Sequence, residues 1–173
     1  MLSKTKSFLL SSIFIIGCAG IPDGVEPVEN FELEPYLGTW YEIARLDNRF
    51  ERGLSEITAT YGMRDGGGVS VTNRGYDAEA GVWKDAEGKA FFIDDESVAR
   101  LKVSFFGPFY GGYNVIALDS TEYSMIAGST RKYLWILARD PMLNDATLDT
   151  LKKKAQDLGF ATDALIYVEH GKQ

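Results

Sequence analysis

The stretch Gly38-Thr39-Trp40-Tyr41-Glu42-Ile43-Ala44-Arg45 decides the fold. Trp40, Tyr41 and Ile43 favour a pleated strand. Gly38 permits a tight backbone entry that a side chain would obstruct. Downstream, β-like runs alternate with turn signals. Strands are predicted over 39–46, 57–63, 69–76, 82–93, 99–106, 113–118, 123–127 and 133–139. Asp65-Gly66-Gly67-Gly68, Asp94-Asp95-Glu96 and Asp119-Ser120-Thr121 are among the turns between them. Eight strands at this spacing predict an all-β chain, an antiparallel up-and-down barrel with room for one small ligand. One helix follows. Asn144 is its expected N-cap and Gly159 the residue after its end. Leu148, Leu151, Ala155 and Leu158 form one apolar face, expected to pack on the barrel wall. Residues 165–168 read as a short last strand.

The chain has 173 residues, 45% of them hydrophobic and 13% aromatic, which suits one globular domain with a proper core. Its formal net charge is −7. That balance disfavours nucleic acid, because phosphate binding needs clustered Lys and Arg. It also disfavours broad electrostatic adhesion to anionic lipid. One Cys (Cys18) and one His (His170) exclude an intrachain disulfide and a Cys-rich metal site. The C-terminus must then be held by packing alone. No cofactor motif, phosphate loop or metal motif is present.

At the N-terminus, Lys4 and Lys6 precede the apolar run Phe8-Leu9-Leu10-Ser11-Ser12-Ile13-Phe14-Ile15-Ile16. This is shorter than the roughly 20 residues that a spanning helix needs, and it reads as a secretory signal. The run ends Ile15-Ile16-Gly17-Cys18, which resembles a lipoprotein box, with Cys18 as the acylated residue. A plain signal with an incidental Cys is the other reading. The resemblance implies cleavage before Cys18, and Ala19 after it implies sorting to the outer membrane. The expected division is a lipoprotein signal over 1–17, a lipidated N-terminus and extended tether over 18–35, and the barrel with its helix over 36–173. Loss of the signal would leave a net charge of about −9.

Gly38-Thr39-Trp40 near the start, Asp119-Ser120-Thr121-Glu122-Tyr123, and an Arg closing Tyr133-Leu134-Trp135-Ile136-Leu137-Ala138-Arg139 resemble the three motifs of the lipocalin family. Arg49-Phe50-Glu51-Arg52-Gly53-Leu54 and the run from Lys102 through Pro108 to Asp119 are similar to its bacterial outer-membrane branch. The likeness extends from about Phe31 to about Glu169. It implies a lipocalin barrel in which Trp40 plugs the closed end from inside and Arg139 packs across it. Gly38 and Asp119 complete the structural motif.

Alternation along strands, phased on those anchors, turns Ala59, Tyr61, Val71, Asn73, Ala90, Phe92, Leu101, Val103, Phe105, Tyr113, Val115, Ser124, Ile126, Tyr133, Trp135 and Leu137 inward. Such a lumen suits an acyl chain better than a sugar or nucleotide, although a filled core has the same composition. Alternate loops group Arg49, Arg52, Arg131 and Lys132 at the open mouth, where they either meet a ligand's carboxylate or phosphate or are simply solvated. Phe109 and Tyr110 either cover the core or form a lip against a membrane or a second copy in a homodimer. No nucleophile–base pair is evident, and Glu42 is the one carboxylate to watch for glycoside chemistry. The expected function is binding, storage or transport of fatty acids or lysophospholipids in the cell envelope, not catalysis. The alternative is a structural envelope lipoprotein whose barrel has no specific ligand.

Overall fold

The computed structural model describes residues 19–171; the predicted signal segment and Cys18 lie outside them. Eight strands pair antiparallel, each with the next: β1 (Gly38–Arg45), β2 (Leu54–Met63), β3 (Val69–Asp77), β4 (Val82–Phe92), β5 (Arg100–Ser104), β6 (Gly111–Asp119), β7 (Tyr123–Ala127) and β8 (Leu134–Ala138). β1 pairs with β8 on one side and β2 on the other, so the sheet closes on itself. Closure satisfies the backbone groups that an open edge would expose. The predicted eight-stranded barrel is therefore the observed fold, with strand ends displaced by at most a few residues.

Gly38 has φ 93°, a conformation that costs glycine nothing and an L-residue a good deal. A Cβ there would sit 3.7 Å from Arg139 Nη1, an ordinary contact. The demand for glycine is thus conformational, and the expected obstruction by a side chain is not the cause.

β1 and β2 pair only from Gly38 to Tyr41 and then diverge. The C-terminal segment fills the gap. β9 (Ile166–Tyr167) pairs with Ala44 and Arg45, and the Val168 amide donates to the Ile43 carbonyl at 3.0 Å. On the other side the Glu56 amide donates to the Glu169 carbonyl at 3.0 Å. His170 Nε2 donates to the Glu42 carbonyl at 2.8 Å. The C-terminus is held by strand pairing and a histidine clasp, not by packing alone.

Two cores result. The outer one lies between the barrel wall and α2 (Asp145–Asp157). Leu151 and Ala155 are buried there against Ile43, Met125, Leu134 and Ile136, with Leu148 and Leu158 partly covered. Asn144 Oδ1 accepts the Thr147 amide at 2.9 Å, and Gly159 follows the helix at φ 82°, as the sequence predicts. The inner core fills the barrel.

Residues 21–36 do not hang free as a tether. Val25 is buried in the outer core and Phe31 in the inner one. The Val28 amide donates to the Val115 carbonyl at 2.8 Å, and the Ala99 amide to the Val28 carbonyl at 2.9 Å. The strap then makes one helical turn, α1 (Leu33–Tyr36), which closes the end of the barrel where β1 begins.

Candidate binding site

Period-two alternation sets the walls of the lumen. Trp40 faces Ala59 across the β1–β2 ladder, Ala59 faces Asn73, and Tyr61 faces Val71. Leu101 faces Tyr113, Val115 faces Ile126, and Ser124 faces Leu137. A cavity of about 90 Å³ lies among them. Of the sixteen residues predicted to face inward, ten line it: Ala59, Tyr61, Val71, Asn73, Val103, Phe105, Tyr113, Ile126, Trp135 and Leu137. Ala90 and Leu101 line a smaller void of about 10 Å³ beneath it. Phe92 and Val115 are packed in the inner core, and Ser124 bonds to Tyr36. Tyr133 lines neither space but stacks on Trp135, with ring centroids 6.0 Å apart.

A layer of hydroxyls separates the two spaces. Tyr113 Oη is 2.6 Å from Tyr36 Oη and 2.7 Å from Tyr61 Oη, and Tyr36 Oη is 3.0 Å from Ser124 Oγ. Burial pushes the Tyr36 phenol up to about 12 and the Tyr61 and Tyr113 phenols well above their ordinary value. All three stay neutral at physiological pH, so the layer is an uncharged, self-satisfied floor. Below it, Trp40 is fully buried and its Nε1 donates to the Tyr36 carbonyl at 2.8 Å. The Arg139 guanidinium lies 3.7 Å from the centroid of the Trp40 ring. It also donates to the carbonyls of Pro35, Thr39 and Ser120 at 2.5, 3.1 and 3.0 Å. Asp119 closes the β6–β7 turn by accepting the Thr121 amide at 2.9 Å.

On the mouth side of the cavity sits a charged cluster of which the sequence signalled only Glu42. The register of β1 on β8 slips between Glu42 and Ala44. This bulge turns both Glu42 and Arg45 inward although they are three residues apart. Arg45 Nη1 donates to Glu42 Oε1 at 2.9 Å, and Nη2 to the Glu51 carbonyl at 2.9 Å. Glu51 Oε2 accepts from Trp135 Nε1 at 3.0 Å and from Asn48 Nδ2. Glu42, Arg45, Asn48 and Glu51 are all buried, and both carboxylates line the cavity. Asn73 Oδ1, also buried, has no hydrogen-bond partner among the described residues. It is an acceptor on the cavity wall available to a ligand donor.

Two carboxyl groups beside one guanidinium would carry a surplus negative charge in a buried site if both were ionised. Burial, reinforced by the Glu51 charge, raises the Glu42 carboxyl well above its ordinary value against the pull of Arg45. Such a carboxyl binds its proton more tightly folded than unfolded. Its contribution to stability is greatest below the usual carboxylate range and declines as pH rises through the folded value. Glu42→Gln keeps that position neutral at every pH. Thermal unfolding between pH 5 and pH 8 should therefore show a shallower alkaline decline in the variant than in the parent. Parallel profiles would mean that Glu42 is ionised throughout.

The four cations predicted for the mouth are not brought together in the cavity, and none lines it. Arg52 is exposed and paired with Asp47 at 2.6 Å. Arg131 donates to the carbonyls of Leu158 and Asp23 at 2.7 and 2.6 Å, clasping α2 and the N-terminal strap from outside. Arg49 lies over the Phe50 ring at 5.0 Å, and Lys132 is exposed. The acidic side chains that line the cavity are Glu42 and Glu51, and Arg45 is bonded to both residues. Tyr36 and Asn48 were missed as well: Tyr36 ends a single helical turn and Asn48 lies in a loop, both too short for periodicity to mark a facing direction.

Residues 31–170 match the family model described as a lipocalin-like domain. The chain is 51% identical over 163 residues to the outer membrane lipoprotein Blc of Vibrio cholerae, covering 93% of this chain and 95% of that protein. It is 48% identical over 162 residues to the Escherichia coli protein of the same name, covering 92% of each. Among solved structures, insecticyanin from the tobacco hornworm Manduca sexta superposes with a TM-score of 0.71 at 22% identity, over 88% of both chains. That last likeness concerns the fold.

Proposed function

The chain belongs to the lipocalin family, and we propose that its barrel binds single-chain amphiphiles, fatty acids or lysophospholipids, at the bacterial outer membrane. The observation that carries the reading is the cavity itself. An apolar shaft of Ala59, Val71, Val103, Phe105, Ile126 and Leu137 has polar side chains confined to a floor and one wall. That pattern takes an acyl chain along its length and gives a head group something to bond near the mouth. The chain acts as a binding protein, not a catalyst, and its relatives are named outer membrane lipoproteins. Anchoring would come from acylation at Cys18, and Ala19 and Gly20 alone would link the lipid to the strap.

The cavity is small beside the roughly 300–1,000 Å³ of small-molecule pockets. A long chain must therefore displace Phe105 or Trp135, or leave part of its length at the mouth. The same volume is what favours the second reading, a scaffold without a specific ligand. Mass spectrometry of lipid extracted from the purified Cys18→Ala chain separates the two. Stoichiometric single-chain lipid is expected; an empty barrel that also fails to take up palmitate supports the scaffold. In the cell, Cys18→Ala should abolish membrane attachment and leave folding intact. A parent chain that incorporates no labelled palmitate surviving denaturing electrophoresis would overturn the anchor.

A further inference from the structure

The N-terminal strap runs the length of the barrel and ends at the mouth. Asn114 Nδ2 donates to the Gly20 carbonyl at 3.2 Å. That carbonyl lies where a Cβ on Gly112 would collide with it, beside Ser129 Oγ. Gly112 is the second residue of β6 and Ser129 lies in the β7–β8 turn, both at the mouth. The Asp23 carbonyl is held by Arg131 of the same turn. Gly20 is thus held at the rim of the open end, two residues along the chain from Cys18.

The rim is also where apolar surface is exposed. Nine large apolar side chains stand exposed among the described residues, and five belong to the mouth: Phe50, Val82, Trp83, Phe106 and Phe109. Phe106 is 71% and Phe109 78% exposed, in the loop that follows cavity-lining Phe105. Tyr110 of that loop instead packs on Phe91, so the loop covers the wall with one aromatic and offers others to the outside. The rim acids Asp47 and Asp77 are each ion-paired, with Arg52 and Lys84. The rim also carries exposed Arg49, Arg131 and Lys132, so it joins aromatic surface to basic side chains, a combination suited to a lipid interface.

We infer that the barrel docks mouth-first on the phospholipid bilayer that holds its own N-terminus, with Phe106 and Phe109 in the interface and the cavity opening onto the lipid. This rests on the reading of Cys18 as the acylated residue. Ligand then passes between bilayer and barrel without crossing water. Because the exposed aromatics carry the contact, salt screens the rim cations without releasing it.

The test uses the full acylated chain in vesicles of phosphatidylethanolamine and phosphatidylglycerol. Acylation consumes the one native thiol, so Lys132→Cys at the mouth and Met142→Cys at the closed end can each carry a fluorophore. Bromine-substituted lipid should quench the label at 132 several-fold more than that at 142, at low and high salt alike. Equal quenching, or stronger quenching at 142, overturns the docking. A chain that does not float with the vesicles overturns the anchor and the docking together. Phe106→Ser with Phe109→Ser alters only exposed side chains and should leave palmitate affinity in solution unchanged. It should slow uptake of a fluorescent fatty acid from vesicles about tenfold, and an unchanged rate overturns the inference. Loss of affinity in solution by the parent chain would instead sink the ligand reading, while the quenching experiment still reports the orientation.

Discussion

Trp40→Ala is expected to cost about 3–5 kcal/mol of stability, the usual effect of removing a large aromatic from a core. Trp40 is completely buried and touches everything that closes the barrel. Its ring is 5.1 Å from the Tyr36 ring, its Nε1 bonds the α1 turn, and Arg139 covers its other face. Truncation leaves a cavity under the strap and an unpaired Tyr36 carbonyl. Arg139→Ala should cost less, because half-buried Arg139 can be replaced in part by water at its three carbonyls. The two effects should nevertheless be coupled. The guanidinium loses its aromatic face when Trp40 goes, and a desolvated cation–π contact contributes on the order of 1–2 kcal/mol. Denaturant unfolding of the double-mutant cycle measures this. Additivity to within about 0.5 kcal/mol would show that the two side chains act independently.

Narrowing the shaft should weaken palmitate binding by at least tenfold in Ala59→Trp or Val103→Trp and affect octanoate much less. A sixteen-carbon tail offers a gross burial gain on the order of 10 kcal/mol at roughly 0.8 kcal/mol per CH₂. Association and ordering costs offset several kcal/mol of it. The tail therefore supplies most of the affinity, and micromolar to submicromolar dissociation constants are expected. The structure changes where the chain-length dependence should stop. The cavity ends at the Tyr61 and Tyr113 hydroxyls, above Trp40, with a separate void beneath. Affinity should rise with chain length and level off at that layer. Tyr113→Ala joins the two spaces and should move the plateau to longer chains, whereas Tyr113→Phe, which keeps the shape, should not. Titration with a series of saturated fatty acids measures both. No dependence on chain length, together with no effect of either tryptophan, would put the ligand outside the barrel.

The sequence by itself determined the barrel and the phase of its strands. Side chains on a strand alternate with a period of two, so Trp40 and Arg139, placed as anchors by the family resemblance, suffice to turn Ala59, Val103 and Leu137 inward. Closure of eight such strands then leaves little choice of partner. The helix was equally plain, because Asn144, Gly159 and the Leu148–Leu151–Ala155–Leu158 spacing are local signals. Only the tertiary structure decided what depends on breaks in that period or on contacts distant along the chain. The bulge after Glu42 shifts Arg45 to the inside, where strict alternation would have turned it out, and so creates the buried Glu42–Arg45–Glu51 cluster. Tyr36 reaches Tyr113 and Ser124 across 77 and 88 residues of chain. Arg131, a rim cation by position, is held instead by carbonyls 27 and 108 residues away. The Pro-rich segment that reads as a free tether lies on the barrel because Val25, Phe31 and Tyr36 find apolar surface there. Composition gives a segment's stiffness, but whether it has a surface to bury against is settled only when the rest of the chain has folded.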